Sequence, residues 1–597
     1  AKSDDQLESD QALLNDGSVW IVHKKGFSRG EVLSKEPDPA AEESDAAGGG
    51  ASRVKVRIEA NGDELTVDEE DVEKANPTSL DFVEDLTHLR HVNESSCLNV
   101  LRHRYSENLI HTNAGPPITL ILNPTSPLAV YSEKVAIAAH SAYRAIAEPP
   151  VVAHLFAGCR SDDMPPHIYS VAQRAHSALL SSRRDQSIVL LGRSGAGKTC
   201  NFQHVLNYLV QVGTGAGTGA CPLTPVKLAA IFTLLESFGS CRTLLNTSAS
   251  RFTKLFALDF DPNGTIVSAS LQCLMLEKSR VSCRPEGQPS FHVFYQFLAG
   301  LDPGSRSELG LDGKLSETNL LDDRQTASMA WARVTSAMHA LEFPADPVRA
   351  IYAVLAAIYH LGAAGLERSV HGRFQFVRPN SANLAASLLG VSPEELLRML
   401  STEGGDDPLG GLAAGLYGEV VAGVVALINR AISTPTATSS SLHSILVVDT
   451  PGFQNPASLP PSRASPSASP TLPKASFADL CHNYVQERLQ LLFHATTFES
   501  ARDRYAQEHI DFDISSLLES SALSTPAPMV NFLDRHTESS AGRQTFGAAT
   551  DGSKGLLWLL DDEALVPGGS DSSFVDKLQA SHSSRGKRHS SVARTVI

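Results

Sequence analysis

The sequence predicts an α/β fold in which a mixed central sheet is flanked by helices and preceded by a small β-barrel. Three features carry that expectation. Strand-like runs alternate with long helical runs over residues 77–434. A glycine-rich run, Gly192-Arg193-Ser194-Gly195-Ala196-Gly197-Lys198-Thr199, lies between a strand pattern and a helix pattern. A second apolar run, Ser444-Ile445-Leu446-Val447-Val448, ends in Asp449.

With 597 residues, 42% hydrophobic and 19% charged, the chain is too apolar to be disordered throughout. Its length suits about three to four domains, or one large multi-lobed one, at ~150 residues each. The formal charge is 50 − 66 = −16, and an acidic surface argues against nucleic acid as the main partner. No run reaches the roughly 18 uninterrupted apolar residues of a membrane span. The most apolar helix-like run, 350–366, carries Tyr359 and His360 in its middle. The polar start, Ala1-Lys2-Ser3-Asp4-Asp5, is unlike a secretory signal. Cys97, Cys159, Cys200, Cys221, Cys241, Cys273, Cys283 and Cys481 form no CxxC pair, as expected of reduced thiols in a cytosolic protein.

Near the N-terminus, Val19-Trp20-Ile21-Val22 reads as a strand. Arg53-Val54-Lys55-Val56-Arg57-Ile58 has the alternation of a half-buried strand. Asn61-Gly62 then marks a hairpin turn, with Glu64-Leu65-Thr66-Val67 as the return. Residues 37–52, including Gly48-Gly49-Gly50, read as a Gly/Ala/Glu loop ahead of the Arg53 strand. Further on, 93–108 reads as helix, 118–122 as a buried strand, 167–182 as helix with His167 structural, 187–191 as strand and 229–238 as helix. Residues 213–219 form a Gly/Thr loop, and 455–473, dominated by Ser, Pro and Ala, a surface insert. A long helix over 477–505 has apolar Leu480, Tyr484, Leu489, Leu492 and Phe493. The Ser-rich, basic 581–594 reads as a solvated tail.

The run from Gly192 to Thr199 fits GxxxxGK[ST] in full. Glycines let backbone N–H groups wrap phosphate oxygens, and the following helix adds its positive dipole end. In that arrangement Lys198 reaches the β- and γ-phosphates and Thr199 ligates Mg²⁺. Asp449, ending a buried strand, is the carboxylate that holds the metal through water. In Asp449-Thr450-Pro451-Gly452-Phe453-Gln454, Gly452 can offer a backbone N–H to the γ-phosphate. Asn246-Thr247-Ser248-Ala249-Ser250-Arg251-Phe252 is a polar segment suited to closing over a triphosphate.

Together these residues resemble the motor domain of a myosin, over nearly the whole chain. The Gly192 run resembles the myosin P-loop. Leu234-Leu235-Glu236-Ser237-Phe238-Gly239 and Asn246 to Lys254 resemble the run into switch I. Leu276-Glu277-Lys278-Ser279-Arg280-Val281 and Phe291-His292-Val293-Phe294-Tyr295 follow it as they do in myosins. The Asp449 segment resembles switch II, and Leu480-Cys481-His482-Asn483-Tyr484 with Leu489-Gln490 the relay helix. Leu556-Leu557-Trp558-Leu559-Leu560-Asp561 to Pro567 resembles the lower actin-binding lobe, and Val19-Trp20 the SH3-like barrel that precedes many myosin motors. Gly192-Arg193-Ser194 and Asp449-Thr450-Pro451-Gly452-Phe453-Gln454-Asn455-Pro456 have the look of class XVIII, with a lean towards its B-type, muscle-associated member. A kinesin has the same three elements. However, Arg251 to Asp449 spans 449 − 251 = 198 positions, room for the extra lobe of a myosin.

The resemblance implies an SH3-like barrel over 10–76 and a C-terminally incomplete motor domain over 77–597. The motor divides into an N-terminal and P-loop part (77–220), an upper lobe (221–447), and a last part (448–597) with switch II, the relay helix and the start of the lower lobe. It implies ATP or ADP with Mg²⁺ as ligands. Asn123, Pro124 and Tyr131 would lie at the adenine. Gly192, Arg193, Ser194, Gly195, Ala196, Gly197, Lys198, Thr199, Asn246 and Ser248 would line the nucleotide, and Thr199, Ser250 and Asp449 the metal. Arg193 either adds positive charge there or faces solvent. Actin filaments are the implied partner, with Lys587-Arg588 a candidate basic contact. Light chains and a coiled-coil partner would lie outside this chain. The implied location is the cytoplasmic cytoskeleton, including the sarcomere.

In a working myosin the switch I arginine pairs with a switch II glutamate. Here Arg251 is present, but the partner position holds Gln454. A buried pair broken on one side costs about 3–5 kcal/mol, because the remaining charge is uncompensated. If ~3 kcal/mol of that falls on the closed state, hydrolysis slows roughly a hundredfold. Ser248 and Ala249 also stand where myosins usually carry Asn and Ser. With Arg251, Gln454 and Gly452 as the catalytic set, the expectation is a nucleotide-gripping, nearly hydrolysis-dead actin tether. The alternatives are a slow, actin-activated ATPase motor and an actin-binding module that does not use nucleotide.

Overall fold

The computed structural model describes residues 17–23, 26–37, 52–125, 165–214, 221–243, 246–284, 288–312, 324–368, 373–402, 407–434, 442–455, 475–510, 525–534 and 555–583. Tyr131, Cys159, the Gly48-Gly49-Gly50 loop, Lys587-Arg588 and most of the 213–219 loop, the 455–473 insert and the basic tail lie outside these residues.

The N-terminal unit is an antiparallel sheet of β1 (Ser18–His23), β2 (Gly26–Pro37), β3 (Ser52–Ile58), β4 (Glu64–Asp68) and β5 (Val72–Lys74), in the order β4-β3-β2-β1-β5. Alternation along β1 and β3 sends Val19, Ile21, Val54 and Val56 into one small core. The β3–β4 turn is made by Asn61, whose Oδ1 accepts the Asp63 N–H at 3.2 Å, and by Gly62 at φ +75°. Trp20 fixes the sheet to helix Glu94–Ser106, its Nε1 donating to Ser96 Oγ at 3.0 Å. Asn76 Nδ2 donates to the same hydroxyl at 2.9 Å.

Among the described residues the central sheet has four strands, ordered Ile266–Leu274, Thr253–Phe260, His443–Asp449, Gln186–Leu190. The last two run parallel and the other pairs antiparallel, so the sheet is mixed. Its register sets Asp449 beside both Leu190 and Lys254. Phe256, Leu258 and Phe260 point into the main core with Phe202, Leu206 and Val447. Helices Ile168–Ser182, Lys198–Gly213, Pro225–Gly239, Ala345–Ala364 and Pro408–Ile432 contribute to that core.

Three expectations need correction. Thr119–Ile121 is half-buried and pairs with His111–Asn113 in a separate two-stranded ribbon, not in the buried sheet. The helix over 477–505 is interrupted: α-helix Phe477–His494 passes through a π-helical turn, Ala495–Glu499, into α-helix Ser500–Gln507. Its fully buried side chains are the polar His482 and Gln486, while Leu492 is exposed. The most apolar long helix is Pro408–Ile432, which the sequence reading did not single out. By length and composition it and Ala345–Ala364 could each cross a membrane, a test that buried core helices also pass. Both line the main core, through Tyr417, Val424 and Ile428 and through Leu355 and Ile358.

Candidate nucleotide-binding site

Gly192, Gly195 and Gly197 have φ of +145°, +82° and +84°, conformations that L side chains rarely adopt. Gly197 opens helix Lys198–Gly213 without a side-chain cap, leaving its first N–H groups free to meet an anion. Lys198 is buried, and its Nζ donates to Gly192 O at 2.9 Å and Arg193 O at 2.8 Å. Burial pulls its pKa down, and Asp449 opposes that shift. Asn123 borders the loop, its Nδ2 donating to Gly195 O at 2.7 Å, with Pro124 next in the chain. The Arg193 side chain is exposed.

At the start of this helix the expected metal residues converge. Thr199 Oγ1 donates to Asp449 Oδ2 at 2.8 Å and lies 3.2 Å from Ser250 Oγ. Asp449 is fully buried, and its Oδ1 has no hydrogen-bond partner. Two hydroxyls and a buried carboxylate with a spare oxygen suit a hard cation such as Mg²⁺. Among the described residues no cluster of three His, Cys, Asp or Glu side chains suits a metal. Lys254 completes the group: its Nζ lies 2.6 Å from Asp449 Oδ2 and 3.3 Å from Ser250 Oγ. That ammonium also sits 5.3 Å from the ring centroids of Phe202 and Phe252.

The polar segment is more ordered than an open loop. Ala249 and Ser250 pair antiparallel with Cys241 and Ser240. Asn246 Oδ1 accepts the Ser248 N–H at 3.1 Å, and Ser248 Oγ donates to Glu236 Oε1 at 3.0 Å. These bonds hold Asn246 and Ser248 to their own turn and to helix Pro225–Gly239 rather than to the phosphate loop.

Gly452 is where the Asp449 segment meets the phosphate loop. A Cβ there would stand 2.1 Å from Ser194 N and 2.4 Å from Arg193 C, so only glycine allows the approach. Gln454 turns back on this segment, its Nε2 donating to Gly452 O at 2.6 Å. Its backbone N–H and C=O are both taken by Asn483, at 2.7 and 2.9 Å. Arg251 is 2% exposed and faces elsewhere. Its Nε pairs with Glu277 and its Nη2 lies 3.4 Å from Asp479 Oδ1. Burial alone would lower its pKa, but Glu277 chiefly, with Cys241 and Asp479, turns the net shift upward.

The myosin head (motor domain) family model matches residues 83–520. The chain belongs to the myosin head family. It is 38% identical over 616 residues to unconventional myosin-XVIIIa of Mus musculus, covering 97% of this chain and 28% of that protein. It is 39% identical over 606 residues to unconventional myosin-XVIIIb of Homo sapiens, covering 95% and 21%. The chain therefore spans about a quarter of the length of these relatives. The class XVIII resemblance stands, and the two identities do not separate its A and B types.

In this myosin head the expected uncompensated charge on Arg251 is corrected. Glu277, contributed by the segment after strand Ile266–Leu274, reaches the guanidinium and supplies the counter-charge. Lys254 and Glu277 lie inside the runs that resemble a myosin, but neither they nor Asp479 were expected to pair at the site. The pairing of Lys254 with Asp449 follows from their cross-strand register. No local signal shows that Glu277 or Asp479 pairs with Arg251, which they meet across 26 and 228 positions.

Proposed function

We propose that this myosin head binds ATP or ADP with Mg²⁺ at the phosphate loop and hydrolyses ATP very weakly or not at all. It would act as an actin-filament-binding tether or structural cytoskeletal element rather than as a processive motor. Nucleotide binding is supported by the left-handed glycines, buried Lys198 and the Thr199–Ser250–Asp449 cluster. Thr199, Ser250 and Asp449 would hold Mg²⁺, which when bound neutralises charge on the phosphate oxygens. Asn123 and Pro124 would border the adenine, with Tyr131. Phosphoryl transfer depends on positioning and electrostatics. The observation that carries weak hydrolysis is Gln454: its amide is spent on Gly452 O, and switch II offers Arg251 no carboxylate.

The proposed partners are actin filaments for the head, with light chains and a coiled-coil partner outside this chain. The proposed location is the cytoplasmic cytoskeleton, including the sarcomere. A second reading, a slow actin-activated motor, is favoured by the carboxylates that Arg251 does keep. A single-turnover assay decides. Excess full-length protein is mixed with labelled ATP and Mg²⁺, and bound nucleotide and free phosphate are followed together. ATP held without phosphate over many minutes supports the tether. Prompt phosphate, accelerated by actin, supports the slow motor. No binding of ATP or ADP removes the nucleotide reading altogether.

A further inference from the structure

Arg251 is anchored to the first turn of helix Phe477–His494. We propose that Asp479 is a positioning residue for the nucleotide site: with Glu277 it replaces the counter-charge that Gln454 does not supply, tying switch I directly to the start of this helix. The proposal rests on the nucleotide reading of the phosphate loop.

Glu277 cannot serve Arg251 alone, because Arg280 claims it too. Arg280 Nε lies 3.1 Å from Glu277 Oε2, and its Nη2 3.1 Å from Oε1. All three side chains are almost fully buried. Two buried guanidiniums sharing one carboxylate leave one positive charge over, which a low-dielectric site penalises. Asp479 supplies the second negative charge, and the group becomes neutral: two cations, two anions.

Asp479 is well held for this task. Its Oδ2 accepts from both the N–H and the Oγ of Ser476, each at 2.9 Å, closing a capping box with its own N–H on Ser476 Oγ at 3.2 Å. That leaves Oδ1 aimed at Arg251. One carboxylate thus caps a helix with one oxygen and holds switch I with the other. Arg251 follows Ser250 in the chain, and Ser250 lies against Thr199 at the metal cluster. The path from helix start to metal site is therefore short: Asp479, Arg251, Ser250. Freeing Arg251 loosens Ser250 and opens the nucleotide's exit.

The test uses full-length protein loaded with Mg²⁺ and N-methylanthraniloyl-ADP, chased with excess ADP. Asp479→Asn should speed release of the labelled ADP about tenfold, the size of one charge-assisted contact. Asp479→Gln, a residue type suited to this capping-box position, should do the same and serves if the first variant folds poorly. Asp479→Glu should keep release slow. Ser476→Ala removes the Oγ bonds but keeps the backbone N–H on Asp479 Oδ2, so it should lower the melting temperature and speed release far less than the neutral Asp479 variants. Neutral Asp479 variants that lower the melting temperature like Ser476→Ala but release at the wild-type rate would overturn the proposal alone. A wild-type protein that does not bind the labelled ADP would overturn the nucleotide reading, and the proposal with it.

Discussion

Gln454→Glu restores the acid that working myosins carry in switch II, and the structure sets how much it can return. If the missing pair were the whole defect, about 3 kcal/mol would come back, roughly a hundredfold in rate. Two local facts reduce that. Gln454 Nε2 donates to Gly452 O at 2.6 Å. Glutamate has no such N–H, and a buried carbonyl left without its donor costs about 1–3 kcal/mol. Arg251 is also already engaged by Glu277 and Asp479 in a charge-balanced group with Arg280, so a third carboxylate makes that group net negative. The net return is about 0–2 kcal/mol, at most roughly thirtyfold. Quenched single turnovers of ATP with Mg²⁺, on excess full-length protein, measure it. The melting temperature should fall slightly. Adding Asp479→Asn, which frees Arg251 to turn, should bring the gain closer to a hundredfold. A hundredfold gain from Gln454→Glu alone, at unchanged melting temperature, would refute the reasoning that Arg251's present partners compete.

Other changes have outcomes of their own. Gly452→Ala forces a Cβ to within 2.1 Å of Ser194 N, so the two segments must part by ~1 Å. Equilibrium titration should show nucleotide affinity down at least about tenfold, and unchanged affinity would mean the segments do not approach as seen. Lys254→Met removes the cation from fully buried Asp449, a loss of about 3–5 kcal/mol in denaturant unfolding. Mg²⁺ with ADP should then raise the melting temperature more in the variant than in wild type, because the metal supplies the missing charge. His482 is 2% exposed, and burial, then Arg251, push its pKa down to about 4. Its neutral form fits the fold, so its contribution is full above pH ~6.5. As pH falls from 6.5 towards 4 the unfolded chain takes up a proton that the folded one refuses, and roughly 3 kcal/mol is lost. His482→Gln should flatten that part of the pH–stability curve in urea titrations, and an unaltered curve would place the acid sensitivity elsewhere.

The parts of the fold legible in the sequence are those whose signals are local. The phosphate loop announces itself through glycine spacing, and the Asp449 strand through five apolar or small residues before an acid. β2 was not legible: Gly26-Phe27-Ser28-Arg29-Gly30 has no clean alternation, and the strand exists because β1 and β3 pair with its two edges. Its ladder also slips between Val32 and Ser34, which breaks any period-2 pattern. Pro408–Ile432 hid behind its glycines, which lower helix propensity while its core contacts decide the outcome. The site divides the same way. Thr199, Ser250 and Asp449 were each visible, but Arg251's partners depend on a tertiary arrangement that places position 479 beside position 251.

The π-helical turn at Ala495–Glu499 has a geometric consequence for the rod it interrupts. A π turn holds one residue more than the α turn it replaces, and each helical residue contributes about 100° of rotation and 1.5 Å of rise. Tyr484, ahead of the turn, packs in the small core of Leu533, Leu556 and Leu559. The side chains of Ser500–Gln507, beyond the turn, therefore leave the rod about 100° away from where an unbroken helix would send them. Phe498, within the turn, meets Phe493 edge-on at 6.3 Å and His494 at 5.4 Å. The rod thus has two faces set by one surplus residue, and moving that surplus by a turn would reorient its far end without unwinding it.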